Sequence, residues 1–328
     1  MSRFAGTRVL FIAPADDALH AHGALRRRAL ARLGCTVTTL NPHEGPGLIA
    51  RIRGDTSLAS RIARALAAAS PDLVLVTGGD ETLDPSLAAE LRGTTDAVWA
   101  CWLTGHSYGL NLLQRTAGVY DVIAAAASDV SARLRGTGAP HVFYLPLACD
   151  PSVHRPVRTR ADLRSSVAFV GSATPRREAL LGQLADLGLA VWGTGWEQTR
   201  LRGVCRGALL TQADYVRVYA GAGVAVNIHD ASELQGWGGW GCNRRVFELA
   251  AIGAPQVVDA RHDLAKHFAE PEEVLVFRSP AELRELVERA LRDPVWAERA
   301  AAAARARAIK EHTYMHRLER LLGVVRRR

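Results

Sequence analysis

Short apolar runs alternate with longer alanine-rich segments through the first half of the chain. Each run is continuously apolar or β-branched and short enough for a buried strand, whereas several of the segments between them have helical spacing. The predicted strands are residues 8–14, 35–41, 72–79, 97–103, 122–127 and 142–148, and the predicted helices lie within 18–34, 57–70 and 85–93. Such strands, separated by helices, are typical of a parallel sheet covered on both faces.

The second half repeats this pattern after a segment of different composition. Its predicted strands are residues 166–172, 189–195, 224–230, 255–260 and 273–279. The segment CDPSVHRPVRTRADLR at 149–164 is rich in Pro and Arg and poor in large apolar residues, which predicts a linker. From Pro294 the pattern predicts a long helix, an interruption near 310–317 and a final amphipathic helix.

These elements predict an α/β fold of two Rossmann-like, doubly wound domains that face each other across a cleft. We expect an N-terminal domain at 1–155, a C-terminal domain at 163–310, and a helix at 311–328 that packs back on the N-terminal domain. Ligands of such sheets bind beyond the carboxyl ends of the strands, where the strand order reverses.

Composition narrows the class of protein. No apolar run approaches the roughly 20 residues of a membrane span, and the first apolar run is too short for a signal peptide. Five scattered cysteines without a C-x-x-C indicate reduced thiols in a cytoplasmic protein and argue against a disulfide or metal framework. The net charge of +8 comes mostly from arginines on predicted helices, with no aromatic-interleaved basic run. We therefore expect neither nucleic acid nor stable membrane insertion.

Polar residues follow the predicted strands of both halves, where a ligand would bind. In the first half they are Asp16, Asp17, Asp80, Glu81, Thr104, Gly105, His106 and Ser107. In the second half they are Gly171, Ser172, Thr174, Gly193, Thr194, Gly195, Asn227, His229 and Asp230.

The segment GWGGWGCNRRVFELAAIGAP at 236–255 combines a glycine-rich loop with a short helix that opens on Asn243, Arg244 and Arg245. The N-terminus of a helix already carries about half a positive charge, so further cations there predict a bound anion such as phosphate. Glu248 lies one turn into an otherwise apolar helix, and a buried carboxylate requires a partner. That partner is either the Arg244 side chain at i, i+4 or the hydroxyl pair of a sugar.

A second anion site is predicted in VAFVGSATPRREALL, where a strand, a Gly-Ser turn and a helix follow one another. Backbone N–H groups from Gly171 to Thr174 are candidates to hold a phosphate. The G-x-G-x-x-G and G-x-x-x-x-G-K-[ST] fingerprints are absent where they are expected.

Five blocks of the second half together resemble the CgeB-like (spore maturation protein type) glycosyltransferases, a family of the GT-B group. The blocks lie in order between about residues 140 and 320, beginning with VAFVGSATPRREALLGQLADLGLAVWGTGW and including NRRVFELAAIGAPQVVDARHDLAKHF. The resemblance implies that the second domain binds a nucleotide diphosphate sugar, with a UDP-, dTDP- or GDP-sugar as donor. It also implies that the first domain binds the acceptor, a small molecule, glycan or protein, and that no metal or other cofactor is required.

The resemblance also implies roles for individual residues. Glu248 and Gly253 match an E-x-x-x-x-G element whose glutamate binds the donor ribose, and Asn243 and Arg244 match positions that contact the diphosphate. Gly171 and Ser172 match the glycine turn of the donor domain. The residues Trp192, Gly193 and Trp196 match a W-G-x-G-W block near the nucleotide base. The strand end CWLTGHSYG departs from the family, because His106 stands where an acidic residue is expected.

Sugar transfer without a metal needs cations to neutralise the leaving diphosphate. We expect Arg244 in this role, with Arg245 second, because adjacent helical side chains point about 100° apart. An inverting enzyme also needs a general base, for which His106, Asp16 and His20 are the candidates, whereas a retaining enzyme needs none.

Trp237 and Trp240 lie in the glycine-rich loop. They are expected either to close over the donor or to pack beneath the loop. The alternative to an enzyme is a non-catalytic nucleotide-sugar or nucleic-acid binding protein on the same scaffold.

Overall fold

The computed structural model describes residues 3–14, 22–45, 57–79, 82–105, 108–207, 211–229 and 239–327. The described chain divides into two compact units. The first takes in the residues before Leu147 together with those from Tyr314 onward, and the second is Leu147–Thr313. The domain limits proposed from sequence, as limits of independently folding parts, remain a prediction.

The first unit contains a six-stranded sheet in which every neighbouring pair is parallel. Its strands are β1 (Arg8–Ile12), β2 (Thr36–Leu40), β3 (Leu73–Thr77), β4 (Val98–Leu103), β5 (Val122–Ala125) and β6 (Val142–Tyr144), in the order β2-β1-β3-β4-β5-β6. Its helices are α1 (His22–Arg32), α2 (Leu58–Ala69), α3 (Pro85–Arg92), α4 (Leu110–Ala117) and α5 (Ser128–Arg135). The structure thus confirms the six strands that the sequence predicts for the first half.

The second unit contains a five-stranded parallel sheet. Its strands are β7 (Ser165–Val170), β8 (Leu189–Trp192), β9 (Ala222–Asn227), β10 (Gln256–Asp259) and β11 (Leu275–Phe277), in the order β11-β10-β9-β7-β8. Its helices are α6 (Pro175–Gly182), α7 (Gln212–Ala220), α8 (Arg244–Ile252), α9 (Pro280–Arg292) and α10 (Pro294–Glu311). The five strands predicted for this half are confirmed.

Both faces of the second sheet are buried, as the continuously apolar strands predict. Val167 and Phe169 of β7 belong to one apolar cluster, whereas Ala168 and Val170, which alternate with them, belong to another. Because successive side chains of a strand point to opposite faces, helices must cover each side of this sheet.

The chain returns to the first unit at its carboxyl end. Helix α10 ends at Glu311, and helix α11 (Tyr314–Val325) packs against α1. The Tyr314 ring contacts the edge of Trp102, and the buried guanidinium of Arg26 lies over both rings. Within the described residues, no helix has the length and apolar character that a membrane span requires.

Three helices of the described residues, α4, α5 and α7, are not predicted by the sequence pattern. At the N-caps of α4 and α5 stand Gly109 and Ala127, neither of which makes a side-chain capping bond, so the usual start signal is missing. Helix α7 has the sequence QADYVRVYA, whose aromatic and β-branched residues favour strands. In each case packing against the sheet outweighs weak local preference.

We predict that Gly193→Ala destabilises the fold. Gly193 has φ +138°, and a Cβ on it would lie 2.2 Å from the carbonyl oxygen of Gly171, a backbone atom that cannot move aside cheaply. The free energy of unfolding, measured by urea denaturation, is expected to fall by about 2 kcal/mol or more. The control is Gly182→Ala, where a Cβ meets open space and the change is expected to stay within about 1 kcal/mol. Equal stability of the two variants would contradict the close approach.

Candidate anion-binding site

The carboxyl ends of β7 and β9 mark the place where the strand order of the second sheet reverses. The chain passes from β7 to β8 on one side and then returns to β9 on the other side of β7. Gly171 follows β7, and Asn227 is the last residue of β9. A crevice for a ligand is expected at such a switch point. Helix α8 begins beside it, because its N-cap residue, Asn243, contacts Asn227 directly.

The N-cap of α8 is fixed by a reciprocal pair of amide hydrogen bonds. Asn243 Nδ2 donates to Asn227 Oδ1 at 3.0 Å, and Asn227 Nδ2 donates to Asn243 Oδ1 at 3.1 Å. The Asn243 Oδ1 atom also accepts the N–H of Val246 at 3.3 Å, as an N-cap side chain should. The backbone N–H groups of Arg244 and Arg245 belong to the first turn, which a helix does not satisfy internally. These two groups are therefore suited to receive an anion.

A buried His-Asp pair also holds the N-cap residue of α8 in place. His229 Nδ1 lies 2.6 Å from Asp259 Oδ1, and both side chains are at most 1% exposed. The backbone N–H of Asn243 donates to His229 Nε2 at 2.9 Å, so the hydrogen-bond partners assign the ring proton to Nδ1. The imidazole is thereby a neutral acceptor toward the helix.

The carboxylate of Asp259 stays ionised in spite of its burial. Burial alone would raise its pKa, but the hydrogen bonds from the ring and backbone N–H of His229 and the Arg176 guanidinium, 3.2 Å away, hold the pKa below its ordinary value. Arg176 also donates to the backbone carbonyl of His229 at 3.3 Å. The neighbouring Arg177 donates to the carbonyls of Ser172 and Ile228. The two arginines of α6 thus bind the ends of β7, β9 and β10 together.

Arg244 and Arg245 point in different directions, as their adjacent positions on a helix require. Arg244 Nε lies 3.4 Å from Glu248 Oε1. The guanidinium of Arg245 instead lies over the Phe169 ring, at 5.6 Å from its centroid, with Nη1 3.4 Å from Asn227 Oδ1. Its Nη2 atom is 3.6 Å from where a Cβ of Gly171 would lie. Arg245 therefore faces the switch point, and Arg244 faces its own helix.

Glu248 is buried and has several protein partners. The hydroxyl of Tyr215 donates to Glu248 Oε2 at 2.7 Å, Arg244 approaches Oε1, and His154 Nε2 lies 3.7 Å from Oε1. Burial alone would raise the pKa of Glu248, but His154, the two arginines and the Tyr215 hydrogen bond hold it below its ordinary value. The predicted pairing with Arg244 is confirmed. Burial of the carboxylate therefore no longer requires a ribose, and the ribose contact stays a prediction.

The Gly171–Thr174 turn offers fewer free N–H groups than the sequence suggests. The N–H groups of Gly171 and Ala173 donate to the carbonyls of Trp192 and Thr194, at 2.8 and 2.9 Å. This corrects the expectation that the whole turn is open to a phosphate. The remaining N–H groups of the turn are those of Ser172, which is exposed, and Thr174, whose hydroxyl caps α6.

The W-G-x-G-W block supports this turn from within the core. Trp196 is fully buried, and its indole N–H donates to the carbonyl of Gly171 at 2.7 Å. Trp192 is 1% exposed. Neither indole presents its ring to solvent, so their role in the described structure is to support the turn, and a position near a nucleotide base stays a prediction. Gly193 lies directly against Gly171, so the turn after β8 and the turn after β7 are in contact.

Trp240 is 45% exposed and stacks on the His262 ring, with centroids 4.5 Å apart and planes 31° from parallel. Its carbonyl accepts the N–H of Asp263, and the preceding carbonyl, of Gly239, accepts that of His262. The indole is therefore held at the surface against the His262 ring. Its contact with a ligand remains a prediction.

Several predicted site residues lie outside the described residues. They are Asp16, Asp17, His20, Asp80, Glu81, His106, Ser107, Asp230 and Trp237. Sequence reasoning missed four residues that complete the site, namely His154, Arg176, Tyr215 and Asp259. His154 lies in a stretch of linker-like composition, and Asp259 is the last residue of β10 but lies within the strand predicted at 255–260, so neither carries a signal of a ligand site. In the part of the chain that the structure describes, no three His, Cys, Asp or Glu side chains are grouped to hold a metal ion.

Comparison with known proteins gives the class of this scaffold. Residues 176–323, which take in most of the second unit and most of helix α11, match a family described as glycosyl transferase-like. The sequence matches no curated protein. The CgeB-like assignment within the glycosyltransferases stays a prediction.

Solved structures with the same fold cover nearly the whole chain. Sucrose-phosphate synthase from Thermosynechococcus elongatus is similar with a TM-score of 0.72 and 16% identity, over 98% of both chains. HepE from Anabaena, in complex with UDP and glucose, has a TM-score of 0.66 and 12% identity, over 98% of this chain and 99% of that one. The α,α-trehalose 6-phosphate synthase from Burkholderia multivorans has a TM-score of 0.63 and 12% identity, over 98% of both chains. The predicted fold of two parallel α/β sheets, the GT-B fold, is confirmed.

We predict that Asp259→Asn destabilises the protein in a pH-dependent manner. The substitution removes the charge that pairs with Arg176 and holds His229, and should lower the free energy of unfolding by about 2–4 kcal/mol at pH 7. The native pKa of Asp259 lies below its unfolded value. Its contribution is therefore complete above the unfolded pKa of about 3.9 and is lost as the pH falls further.

Wild type and Asp259→Asn are compared by urea denaturation between pH 7 and pH 3. The difference between their free energies of unfolding should be constant above about pH 5 and should narrow below about pH 4. The control is Asp186→Asn, which removes an exposed carboxylate paired with Arg284 and should change stability little. A difference between wild type and Asp259→Asn that does not vary with pH would mean that the pKa of Asp259 is the same in the native and unfolded states, which would contradict the prediction.

Proposed function

We propose that this GT-B protein transfers a sugar from a nucleotide diphosphate sugar to an acceptor hydroxyl without a bound metal, a proposal supported by the match of residues 176–323 to a glycosyl transferase-like family. The donor is a UDP-, dTDP- or GDP-sugar. The acceptor is a small molecule, a glycan or a protein, and its hydroxyl becomes the new glycosidic oxygen while the nucleoside diphosphate leaves.

One observation carries this proposal: the cationic N-terminus of α8 lies at the switch point of the donor-domain sheet. Asn243 fixes the helix there through Asn227 and His229. The Arg245 guanidinium, from the first turn of the helix, then lies against the Gly171 turn. Charge develops on the diphosphate as the sugar leaves, and cations already in place stabilise that charge without rearrangement.

In this proposal Arg245 contacts the diphosphate directly, since it faces the Gly171 turn. Arg244 is the second cation, because it is shared with Glu248. Ser172 and Thr174 add N–H donors at the opposite side of the crevice. This order of the two arginines reverses the one expected from sequence, because only the structure shows where each side chain points.

Glu248 provides the ribose contact in the proposal. An ionised carboxylate has about four acceptor positions, and Tyr215 and Arg244 occupy only part of them. The ribose hydroxyls can therefore donate to Glu248 while its protein partners stay in place. The Anabaena HepE structures, which contain UDP, UDP-glucose, or UDP and glucose, support a nucleotide-sugar donor by analogy of fold.

The acceptor side of the proposal rests on the first domain and on Trp240. An inverting reaction would use His106, Asp16 or His20 as the base that removes the acceptor proton. A retaining reaction would not need that base. The exposed indole of Trp240 offers a flat apolar surface against which a sugar of the donor or acceptor can stack.

We predict that Arg245→Gln abolishes most of the transfer activity. Wild-type protein is first tested with UDP-, dTDP- and GDP-sugars for release of free nucleotide and for an increase in thermal midpoint. With the best donor, Arg245→Gln should lower kcat roughly 100-fold, as expected when one preorganised charge is removed from the transition state. Arg244→Gln should have a smaller effect. The matched control is Arg299→Gln, an exposed arginine on α10, which should leave kcat within about twofold of wild type.

The same panel separates the enzyme from a binding protein. Nucleotide binding without release of nucleotide from any donor, even with candidate acceptors present, would favour a non-catalytic nucleotide-sugar binding protein. A wild-type protein that neither binds nor cleaves any of these donors would overturn the proposed function.

We predict that transfer continues in EDTA. The sequence contains no D-x-D motif that could hold a metal on a diphosphate, and Arg244, Arg245 and the helix N-terminus supply positive charge. Activity in an excess of EDTA should equal activity in added Mg²⁺. Loss of activity on chelation that Mn²⁺ or Mg²⁺ restores would contradict the metal-independent mechanism.

A further inference from the structure

We infer that His154 is a positioning residue, which orients the Glu248 carboxylate and so sets the preference of the site for ribose over deoxyribose. This inference rests on the proposed function, because it assigns the specificity of the same donor site. His154 lies in the segment that the sequence presents as a linker, far from the motifs of the donor domain.

The position of His154 is fixed by a short turn. The backbone N–H of His154 donates to the carbonyl of Asp150 at 2.8 Å, and His154 Nδ1 accepts the N–H of Asp150 at 3.1 Å. The Asp150 carboxylate accepts the N–H and hydroxyl of Ser152 within the same turn. The imidazole is 1% exposed, so it has one orientation relative to this turn.

The turn also fixes which ring nitrogen carries the proton. Because Nδ1 accepts a backbone N–H, the neutral imidazole must carry its proton on Nε2. That atom lies 3.7 Å from Glu248 Oε1. Burial lowers the pKa of His154 despite the nearby carboxylates of Glu248 and Asp150, with Arg244 adding to the decrease. His154 therefore presents a neutral N–H dipole to Glu248 at neutral pH.

Glu248 is thereby held between groups from three parts of the unit. Tyr215 of α7 donates to Oε2, whereas Arg244 of α8 and His154 of the turn approach Oε1. A neutral donor restrains rotation of the carboxylate without cancelling its charge, so the carboxylate remains a strong acceptor for ribose hydroxyls. Without His154, the carboxylate keeps its charge but loses one of the contacts that define its plane.

Two substitutions separate this role from support of the turn. In His154→Asn the amide oxygen takes the place of Nδ1, which keeps the Asp150 contact and removes the N–H that faces Glu248. In His154→Gln the amide nitrogen lies near the place of Nε2, which keeps a donor toward Glu248 and removes the Asp150 contact. A structural role predicts more damage from glutamine, whereas the positioning role predicts more damage from asparagine.

The measurement is the ratio of dissociation constants for 2′-deoxy-UDP and UDP, obtained by calorimetry on the full chain. The guanine pair replaces them if GDP-sugars are the preferred donors, and a preference for dTDP-sugars, whose nucleoside is a deoxyribonucleoside, would overturn the inference. His154→Asn should weaken UDP binding about threefold, the effect of losing a weak N–H dipole contact at 3.7 Å and not a full hydrogen bond, while deoxy-UDP binding changes little. The ratio therefore falls toward one in His154→Asn and stays near the wild-type value in His154→Gln.

The possible outcomes are distinct. A wild-type ratio in His154→Asn, or a ratio lost only in His154→Gln, overturns the inference. A wild-type protein that binds nucleotide without preferring ribose also overturns it but leaves the proposed function intact. A wild-type protein that binds no nucleotide overturns the proposed function itself. If His154→Asn does not fold, His154→Leu, which removes both polar contacts at similar volume, takes its place and must lose the ratio that His154→Gln keeps.

Discussion

The N-terminus of helix α8 has to be held against the carboxyl ends of β9 and β10, and the rest of the site depends on that attachment. The backbone N–H of the cap residue, Asn243, donates to His229 Nε2. The other ring nitrogen of His229, Nδ1, contacts the buried carboxylate of Asp259. The helix start is therefore bonded to two strands at once. Without this attachment, two adjacent arginines at the positive end of a helix would repel both the helix and each other.

Two buried carboxylates offset the unfavourable positive charge at the start of α8. Asp259 lies under the cap and pairs with Arg176, while Glu248 lies one turn along α8 and pairs with Arg244. Each is held ionised by its partners although it is almost fully buried. Positive charge consequently remains at the surface of the crevice, where Arg245 faces the Gly171 turn. Ionised carboxylates in the interior and arginines facing the crevice together form an arrangement suited to bind a diphosphate.

Many of the residues singled out in the sequence belong to the support of the site and not to its surface. Asn227 and His229 are fully buried and hold the helix cap, and Trp196 holds the carbonyl of Gly171. Residue type and position after a strand indicate that a residue lies near a ligand site. They do not distinguish a side chain that touches the ligand from one that orients its neighbour, because that depends on rotamer and burial.

The sequence by itself determined the two parallel sheets, since a strand buried on both faces must be continuously apolar and this pattern is visible without a structure. It also determined the start and end of α8, because Asn243 supplies the cap and Gly253 the left-handed C-terminal residue, with φ +80°. The packing of the final helix against α1, the direction in which each arginine points and the contact of His154 with Glu248 were decided only by tertiary structure. They join residues far apart in the chain: His154 and Glu248 are 94 positions apart, and Arg26 of α1 and Tyr314 of α11 are 288 apart. Local periodicity and capping act over a few residues, so they carry no information about which distant side chain completes a buried charge.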